Sequence, residues 1–485
     1  MRNLTLLTDL YQLTMMNAYL ETGEGNRNCV FDLFYRANDY IEYAVAAGLE
    51  TAVEYINNLK FTDEDIEYLK SLKLFGDKFF AAIKDFKFTG DLYAVREGEF
   101  IFPNEPIVTV KAPLYQAQFI ETALLNIINH QTLIATKAAK ITHEAKGAVM
   151  EFGLRRAQGP DAGVYGARAA VIGGCKSTSN MLAGQKFGIP VSGTLAHSFI
   201  MSYENELDAF RAYAEIYPDN CVLLVDTYDT LKSGVPNAIK VFDELKAKGY
   251  KPAAIRLDSG DLAYLSKKAR KMLDEAGHKD VKIIASGDID EYILSSLHQQ
   301  GAKIDLWGIG TKLITSAQNP ALGGVYKLAA IEKNGKWTPK IKISDTQEKI
   351  TNPALKTVYR IYDKDNMAAA DLICLKDEVF DTSKPLTIFH PVETWKKTTF
   401  TEYSMRNLMV DIIKDGKLVY QMPSLKEIVE YAQKVKSEFW EEYVRLINPH
   451  IYKVDLSDKL YELKHLLINE KTEGIYLQSE KKERE

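Results

Sequence analysis

Between residues 149 and 311, short apolar segments alternate with longer segments whose apolar residues recur at helical spacing. The short segments, for example 221–226, are rich in Val and Leu, as is typical of strands buried on both faces. The longer ones, for example 262–277, carry an apolar stripe. This alternation predicts βα units around a parallel sheet. Because the short segments end in polar or glycine-rich residues, it also predicts a βα barrel with an active site at the carboxyl ends of its strands.

The flanking segments follow other patterns, and together they predict four parts. Residues 1–140 mix helical and strand patterns, and residues 141–325 form the barrel. Residues 326–400 predict antiparallel strands that rejoin the N-terminal strands in one domain. Residues 401–485 predict a mostly helical C-terminal extension. The fold class is therefore α/β.

Composition narrows the classes of function. The chain has 485 residues, 46% of them hydrophobic, and a net charge of −5. These values support a large core and offer no basic surface for nucleic acid. The four cysteines are isolated, without a CxxC pair, which predicts reduced thiols and no zinc site. We find no run of about 18 apolar residues and no secretory leader, and therefore expect a cytoplasmic protein without a membrane partner.

Three consecutive predicted loops carry chemistry that suits a phosphorylated sugar. Asp258 and Asp261 offer carboxylates for sugar hydroxyls or a hydrated magnesium ion. Arg256, two residues before Asp258, points to the same side of its strand. The next two loops repeat the glycine-rich pattern with Ser286, Gly287 and Asp288, and then with Gly308, Gly310 and Thr311. Backbone N–H groups at the helix starts that follow suit phosphate. One such loop is a weak signal, and three in consecutive units are a stronger one.

Aromatic and cationic residues after the first predicted strand suit a flat anionic ligand. Phe152 can stack on a ring, and Arg155 can bind a carboxylate or phosphate. His197 follows a strand predicted over residues 190–195. A lone histidine is more often structural, but Asp226 and Asp229 at the end of the next strand could orient this ring. A neutral imidazole held in this way can act as a base or as a nucleophile toward phosphorus.

Several motifs, in order along the chain, resemble those of nicotinate phosphoribosyltransferases. They are TDLYQLTM, EFGLRRAQGPDAG, STSNMLAGQ, GTLAHSF, RLDSGDL, SGDID, WGIGT and PALGGVYKL. The resemblance covers residues 8 to about 330 in register and weakens after about residue 400. Several motifs in register are far more specific than any single one.

The resemblance implies an irregular type II phosphoribosyltransferase barrel beside an α/β sandwich domain, in a homodimer with active sites at the interface. It implies the formation of nicotinate mononucleotide and pyrophosphate from nicotinate and 5-phosphoribosyl 1-pyrophosphate (PRPP), as a step in NAD biosynthesis or salvage. It also implies that ATP hydrolysis is coupled to this reaction through a phosphorylated histidine, and that Mg²⁺ is required.

Roles follow by motif position. His197 would be phosphorylated and Asp226 would orient it, while Arg256 and the catalytic Asp258 would hold ring and ribose. Phe152 and, from the neighbouring subunit, Tyr11 would sandwich the pyridine ring. The other expected substrate-binding residues are Arg155 at the nicotinate carboxylate, Ser177 and Thr194 in their motifs, and Ser286, Gly287, Asp288, Gly308, Gly310 and Thr311 toward the 5-phosphate. Positioned carboxylates would stabilise the oxocarbenium-like transition state.

Three alternatives remain open. The related nicotinamide enzyme has an aspartate near the position of Ser177, and its absence here favours the acid over the amide. Quinolinate phosphoribosyltransferase shares the barrel type, but it is shorter and lacks the histidine in this context. The chain could also be a catalytically silent nucleotide-binding protein on this scaffold. The joint presence of His197, Asp226, Asp258 and Arg155 argues against this alternative.

Overall fold

A computed structural model describes residues 3–37, 41–346 and 349–482, without the side chains of residues 473–482. The chain forms two compact units, one from residues 1–132 and 321–485 and the other from residues 133–320. The first boundary falls inside a continuous helix, Glu121–Glu144, which explains why no break in the sequence pattern marks it. None of the described helices combines the length and the hydropathy that a membrane-spanning segment requires.

The unit of residues 133–320 is built on a parallel sheet. Its six strands, in spatial order, are Ser177–Thr178, Ala148–Glu151, Leu306–Ile309, Lys282–Gly287, Ala254–Leu257 and Val222–Leu224. Every neighbouring pair is parallel. The strand interiors are buried, as in Ala254–Leu257 and Lys282–Gly287, which agrees with strands covered on both faces.

Helices connect these strands and cover the sheet. The α-helices are Pro160–Ile172, Met181–Phe187, His197–Met201, Glu206–Ile216, Val235–Ala247, Leu262–Glu275, Glu291–Gln299 and Thr311–Ile314. Leu154–Arg156 and Pro218–Asn220 are 3₁₀ turns, and Thr230–Gly234 is a π-helical turn. Phe210, Phe242 and Leu273 from three of the helices are fully buried together with Ile255 and Leu257 of one strand. Burial of these apolar stripes holds helices and sheet together.

The predicted strand over residues 190–195 is reduced to a single bridge. Val191 pairs in parallel with Thr178, and no strand follows it. Pro190 has no N–H to donate, and Gly193 lacks a side chain to pack, so neither residue supports a longer ladder. The segment instead continues as a loop to His197, the first residue of its helix.

The other unit contains two main sheets. The seven strands of the antiparallel sheet, in order, are Lys336–Pro339, Gly324–Lys333, Asn28–Tyr35, Val108–Pro113, Asp91–Val95, Met409–Lys414 and Lys417–Leu418. The four strands of the second sheet are Ser404–Asn407, Lys356–Tyr362, Ala368–Leu375 and Val454–Leu456. Two small ladders join Ala44–Val45 to Phe100–Ile101 and Leu386–Phe389 to Lys397–Phe400. The helices are Leu10–Glu21, Leu49–Asn57, Asp63–Ser71, Asp77–Lys84, Leu114–Phe119, the first half of Glu121–Glu144, Leu425–Ser437, Glu441–Val444 and Asp458–Lys482.

The C-terminal segment differs from the mostly helical extension that the sequence predicted. Residues 404–418 form strands, and Met409–Lys414 pairs with Asp91–Val95, about 300 positions earlier in the chain. Short strands are stabilised by such distant partners, which local sequence does not reveal. The prediction of helices does hold for Leu425–Ser437, which begins with a capping box at Ser424.

Candidate active site

The carboxyl ends of three neighbouring strands bring the predicted chemistry together. Arg256 lies on Ala254–Leu257 beside Ile284 of Lys282–Gly287, and it also pairs with Leu224 on the other side. Residues that follow these strands therefore meet at one edge of the sheet, as expected for parallel βα units.

Arg256 donates hydrogen bonds to three side chains at this edge. Its Nε donates to Ser286 Oγ at 2.7 Å, one terminal nitrogen donates to Thr194 Oγ1 at 2.6 Å, and the other donates to Asp258 Oδ1 at 2.5 Å. The side chain is only 12% exposed. Three separate partners fix the planar guanidinium in one orientation, which a lysine could not reproduce.

Asp258 is held in its ionised form. Burial alone would raise the pKa of Asp258, but the hydrogen bond from Ser286 and the positive charge of Arg256 outweigh burial and lower this pKa below its usual value. Both donors use Oδ1, so Oδ2 has no hydrogen-bond donor among the described residues. Asp258 thus offers one oriented carboxylate oxygen to a ligand.

His197 and Asp226 form a pair next to this cluster. His197 Nε2 lies 3.2 Å from Asp226 Oδ1, and the histidine is 40% exposed while the aspartate side chain is 2% exposed. Asp226 Oδ2 accepts hydrogen bonds from Asp258 N at 2.8 Å and from Ser259 Oγ at 2.7 Å. Asp226 therefore couples the histidine to the Asp258 loop.

Two acidic residues that the sequence offered for this site have other tasks. Asp229 accepts from the backbone N–H groups of Leu231 and Lys232 and caps the turn Thr230–Gly234, so Asp226 alone orients His197. Asp261 likewise caps the helix Leu262–Glu275. Asx caps are a common use of aspartate after a strand, and sequence spacing alone could not separate them from ligand-binding carboxylates.

Ser259 is a site residue that the sequence reasoning did not select. Its hydroxyl donates to Asp226, as described above, and fixes the carboxylate from the side opposite to His197. Its position between Asp258 and Gly260 in the DSGD motif was the available signal.

Phe152 forms one wall of the edge. Its ring centroid lies 5.9 Å from Arg256 Cζ, and its backbone N–H donates to Ile309 O at 2.9 Å. A Cβ atom at Gly308 would lie 2.6 Å from Phe152 Cε2, and one at Gly310 would lie 2.8 Å from Phe152 O. Both glycines therefore make room for Phe152, a physical reason different from the phosphate contacts that the sequence suggested for them.

The remaining predicted residues of this unit lie around the same strand ends. Arg155 is exposed on the turn Leu154–Arg156, and no hydrogen bond or ion pair joins it to another described residue. Ser177 Oγ shares a 2.6 Å hydrogen bond with Ser192 Oγ. Gly287, Asp288 and Thr311 also lie at strand ends. Gly287 is in the left-handed region with φ +123°, and the next residue, Asp288, is exposed. Thr311 is the first residue of the helix Thr311–Ile314.

Tyr11 belongs to the other unit, on the helix Leu10–Glu21. The side chain is 48% exposed, and its hydroxyl donates to Glu121 Oε1 at 3.3 Å. Partial burial and the nearby Glu121 charge raise the pKa of Tyr11. The helix thus presents an aromatic ring at its surface.

A parallel α/β unit that gathers a histidine–aspartate pair, a carboxylate and an arginine at its strand ends defines an α/β enzyme for small anionic ligands. Three family models match the chain: the nicotinate phosphoribosyltransferase N-terminal domain over residues 6–129, the family itself over 148–373, and the C-terminal domain over 355–464. The chain belongs to the nicotinate phosphoribosyltransferase family.

Relatives and solved structures agree with this assignment. The nicotinate phosphoribosyltransferase of Bacillus subtilis is 50% identical over 475 residues, which is 96% of each chain. That of Caenorhabditis elegans is 36% identical and covers 95% of this chain and 93% of its own. The crystal structure of human nicotinic acid phosphoribosyltransferase superposes with a TM-score of 0.85 at 31% identity, covering 95% of this chain and 99% of that chain. A nicotinate-nucleotide pyrophosphorylase of Pyrococcus furiosus shares the fold with a TM-score of 0.68 at 22% identity.

Proposed function

We propose that the protein is an ATP-dependent nicotinate phosphoribosyltransferase, which makes nicotinate mononucleotide and pyrophosphate from nicotinate and PRPP for NAD biosynthesis. The observation that carries the proposal is the cluster of Arg256, Asp258 and His197 at one sheet edge, in a chain half identical to the Bacillus subtilis enzyme over 96% of its length. The cluster requires neither a nicotinamide enzyme nor a catalytically silent nucleotide-binding protein as its explanation.

In the proposed transfer, the pyridine nitrogen of nicotinate donates its electron pair to C1 of the ribose. The bond from C1 to the pyrophosphate oxygen breaks, and pyrophosphate leaves with that electron pair. The free oxygen of Asp258 would stabilise the positive charge that develops on the sugar. Arg256 is already aligned beside it and costs no reorganisation during the reaction.

Substrate binding is assigned to the walls of the same edge. Phe152 would stack on the pyridine ring, and the unpaired guanidinium of Arg155 would bind the nicotinate carboxylate. The hydroxyls of Ser177 and Thr194 add polar groups without a negative charge. The loops 286–288 and 308–311 would bind the 5-phosphate side of the ribose through backbone N–H groups.

His197 is the proposed phosphoryl acceptor from ATP. Its Nε2–H faces Asp226, so Nδ1 keeps its lone pair and would attack the γ-phosphorus. The bond from phosphorus to the ADP oxygen breaks, and ADP leaves with the electron pair. The buried Asp226 would stabilise the imidazolium that forms, and water would later take the phosphoryl group.

Mg²⁺ would bind at this site together with the substrate phosphates. The described residues contain no group of three or more His, Cys, Asp or Glu side chains arranged to hold a metal by themselves. Mg²⁺ typically uses one or two carboxylates plus substrate phosphates, and exposed Asp288 offers a carboxylate at this edge. Bound there, the ion would neutralise charge on the leaving pyrophosphate.

The finer architecture is part of the proposal. Val191 bridges to Thr178 on one edge strand, and Thr194, three residues later, accepts from Arg256 near the opposite edge. A loop that contacts one edge strand and the strand next to the opposite edge supports closure of the sheet into the irregular type II barrel. The remaining unit would then be the α/β sandwich domain of the family.

A homodimer is proposed from exposed apolar residues. Leu10 and Tyr11 of one unit are 54% and 48% exposed, and Met181 and Leu182 of the other are 69% and 57% exposed. Clusters of this kind are typical of interfaces. In the proposed dimer, Tyr11 would reach the ring pocket of the neighbouring subunit. The described cysteines are all free and buried, which supports a cytoplasmic location.

The phosphoryl relay is tested by incubating the protein with ATP labelled at the γ-phosphate. We expect an acid-labile label that His197→Ala abolishes and Asp226→Asn reduces. His450→Ala, at an exposed histidine of the other unit, is the matched control and should label normally. Normal labelling of His197→Ala would remove the relay from the proposal.

A further inference from the structure

Glu151 is a fully buried carboxyl group beside the proposed ring pocket. It is the last residue of the strand Ala148–Glu151, and its side chain has no exposed surface. One carboxyl oxygen accepts from Gly153 N, and the other accepts from Thr178 Oγ1 at 2.5 Å. Glu151 directly precedes Phe152 in the sequence. The EFGLRR motif itself assigns no role to Glu151.

The contacts of Glu151 tie two strand ends together. Gly153 belongs to the turn after Phe152, and Thr178 ends the neighbouring strand. Thr178 Oγ1 also accepts from Asn180 N at 3.0 Å, and Asn180 caps the helix Met181–Phe187. A chain of hydrogen bonds therefore runs from the Phe152 turn to the start of that helix.

The turn has no room to relax around this carboxyl group. A Cβ atom at Gly153 would lie 2.7 Å from Glu151 Oε1 and 2.5 Å from Ile314 Cβ. Among the described residues, no cationic side chain bonds to Glu151. Burial raises its pKa, and the two hydrogen bonds oppose burial only in part.

We propose that Glu151 is a positioning residue that sets the place of the Phe152 ring, and hence affinity for the pyridine substrate, by anchoring the turn 152–155 to Thr178. The inference rests on the proposed function, because it concerns the nicotinate side of that reaction. It does not concern the ribose side of the reaction, which the proposed function assigns to Arg256 and Asp258.

The test compares Michaelis constants for the two substrates. Glu151→Ala should raise KM for nicotinate about tenfold, since a displaced ring wall misplaces the substrate, and change KM for PRPP less than about twofold. Glu151→Gln should restore the nicotinate KM, because its amide oxygen can accept from Gly153 and its NH₂ can face Thr178. Thr178→Val removes the hydroxyl that bonds to both Glu151 and Asn180, without leaving a cavity, and should also raise the nicotinate KM. This second variant keeps the test valid if Glu151→Ala fails to fold.

Glu206→Ala is the matched control. Glu206 is also a buried glutamate of this unit, 4% exposed, with its pKa raised by burial, but it bonds to Asn237 away from the ring pocket. The inference would be overturned if the nicotinate KM were unchanged in both Glu151→Ala and Thr178→Val. It would also be overturned if the KM values for nicotinate and PRPP rose equally, or if Glu151→Gln did not restore the nicotinate KM. A wild-type protein that makes no nicotinate mononucleotide would instead refute the proposed function.

Discussion

Replacement of Arg256 gives the sharpest test of the cluster at the sheet edge. Arg256→Met keeps most of the side-chain volume but removes all three donors, to Ser286, Thr194 and Asp258. Arg256→Lys keeps the charge but can make only part of these bonds. The two variants therefore separate the effect of charge from the effect of orientation.

The expected loss follows from the contacts. The guanidinium is 12% exposed, so solvent screens it little, and one of its bonds is to an ionised carboxylate at 2.5 Å. Removing Arg256 frees Asp258, the group proposed to stabilise the charge that develops on the sugar, and the loss of one such preorganised electrostatic interaction typically costs about 10²–10³ in rate. We expect kcat/KM of Arg256→Met to fall about 100-fold, or about 2.7 kcal/mol, and that of Arg256→Lys about tenfold.

The pH profile adds a second measurement. The pKa of Asp258 lies below its usual value despite burial, because Ser286 and Arg256 stabilise the carboxylate. Its contribution to stability is therefore present at neutral pH and is lost as the pH falls through the folded-state pKa. Without Arg256 the pKa rises, so the acid limb of kcat/KM should move to higher pH in Arg256→Met but move less in Arg256→Lys. The difference in Tm between wild type and Arg256→Met should narrow toward acid.

The assay is nicotinate mononucleotide formation from pH 8 down to below the ordinary aspartate pKa of about 3.9, with Tm measured alongside. An acid limb at the same pH in wild type and Arg256→Met would refute the reasoning, because Asp258 would then not depend on Arg256. Equal activity of the Met and Lys variants would refute the assigned role of the charge.

Two further variants test packing beside the site and in its support. Gly308→Ala should raise the nicotinate KM about tenfold, since the new methyl group would lie 2.6 Å from Phe152 Cε2 and displace the ring. Lys137→Met should destabilise the protein by about 3 kcal/mol in urea unfolding, because it leaves Glu291 as an unpaired buried charge. The Lys137 and Glu291 side chains, 2.7 Å apart, are only 6% and 5% exposed.

Matched controls exist for both variants. A Cβ atom at Gly193 would have no neighbour within 4 Å, so Gly193→Ala should leave the nicotinate KM unchanged. Lys271 is 71% exposed in its pair with Glu275, so Lys271→Met should change stability by less than about 1 kcal/mol. A Gly308→Ala enzyme with normal nicotinate KM, or a Lys137→Met protein as stable as Lys271→Met, would contradict the packing argument.

The sequence predicted correctly that several side chains lie close together at the sheet edge. The pairing of His197 with Asp226, 29 positions apart, followed from the order of consecutive βα units. It could not separate Asp226 from Asp229, because which one caps the next helix depends on the local turn at Thr230–Gly234. The role of Gly308 was also hidden, since it depends on the ring of Phe152, which follows the neighbouring strand Ala148–Glu151 but lies far away in the sequence.

The fold prediction also failed where a feature depends on residues that are distant in the sequence. Five strands of the parallel sheet were visible because burial on both faces makes their sequences largely apolar. The sixth, Ser177–Thr178, was missed because it is short and polar. The strand Met409–Lys414 was missed because its partner, Asp91–Val95, lies in a remote part of the sequence. The buried Glu151 gave no sequence signal, because a glutamate at a strand end usually faces solvent.

The most direct test of the central claim is a product assay with the purified protein, PRPP, ATP and Mg²⁺. Nicotinate, nicotinamide and quinolinate are supplied separately, and mononucleotide and pyrophosphate are quantified. The account predicts nicotinate mononucleotide and equimolar pyrophosphate from nicotinate, with at most trace product from the other two. Product from nicotinamide or quinolinate in preference to nicotinate, or no product from any of the three, would contradict it.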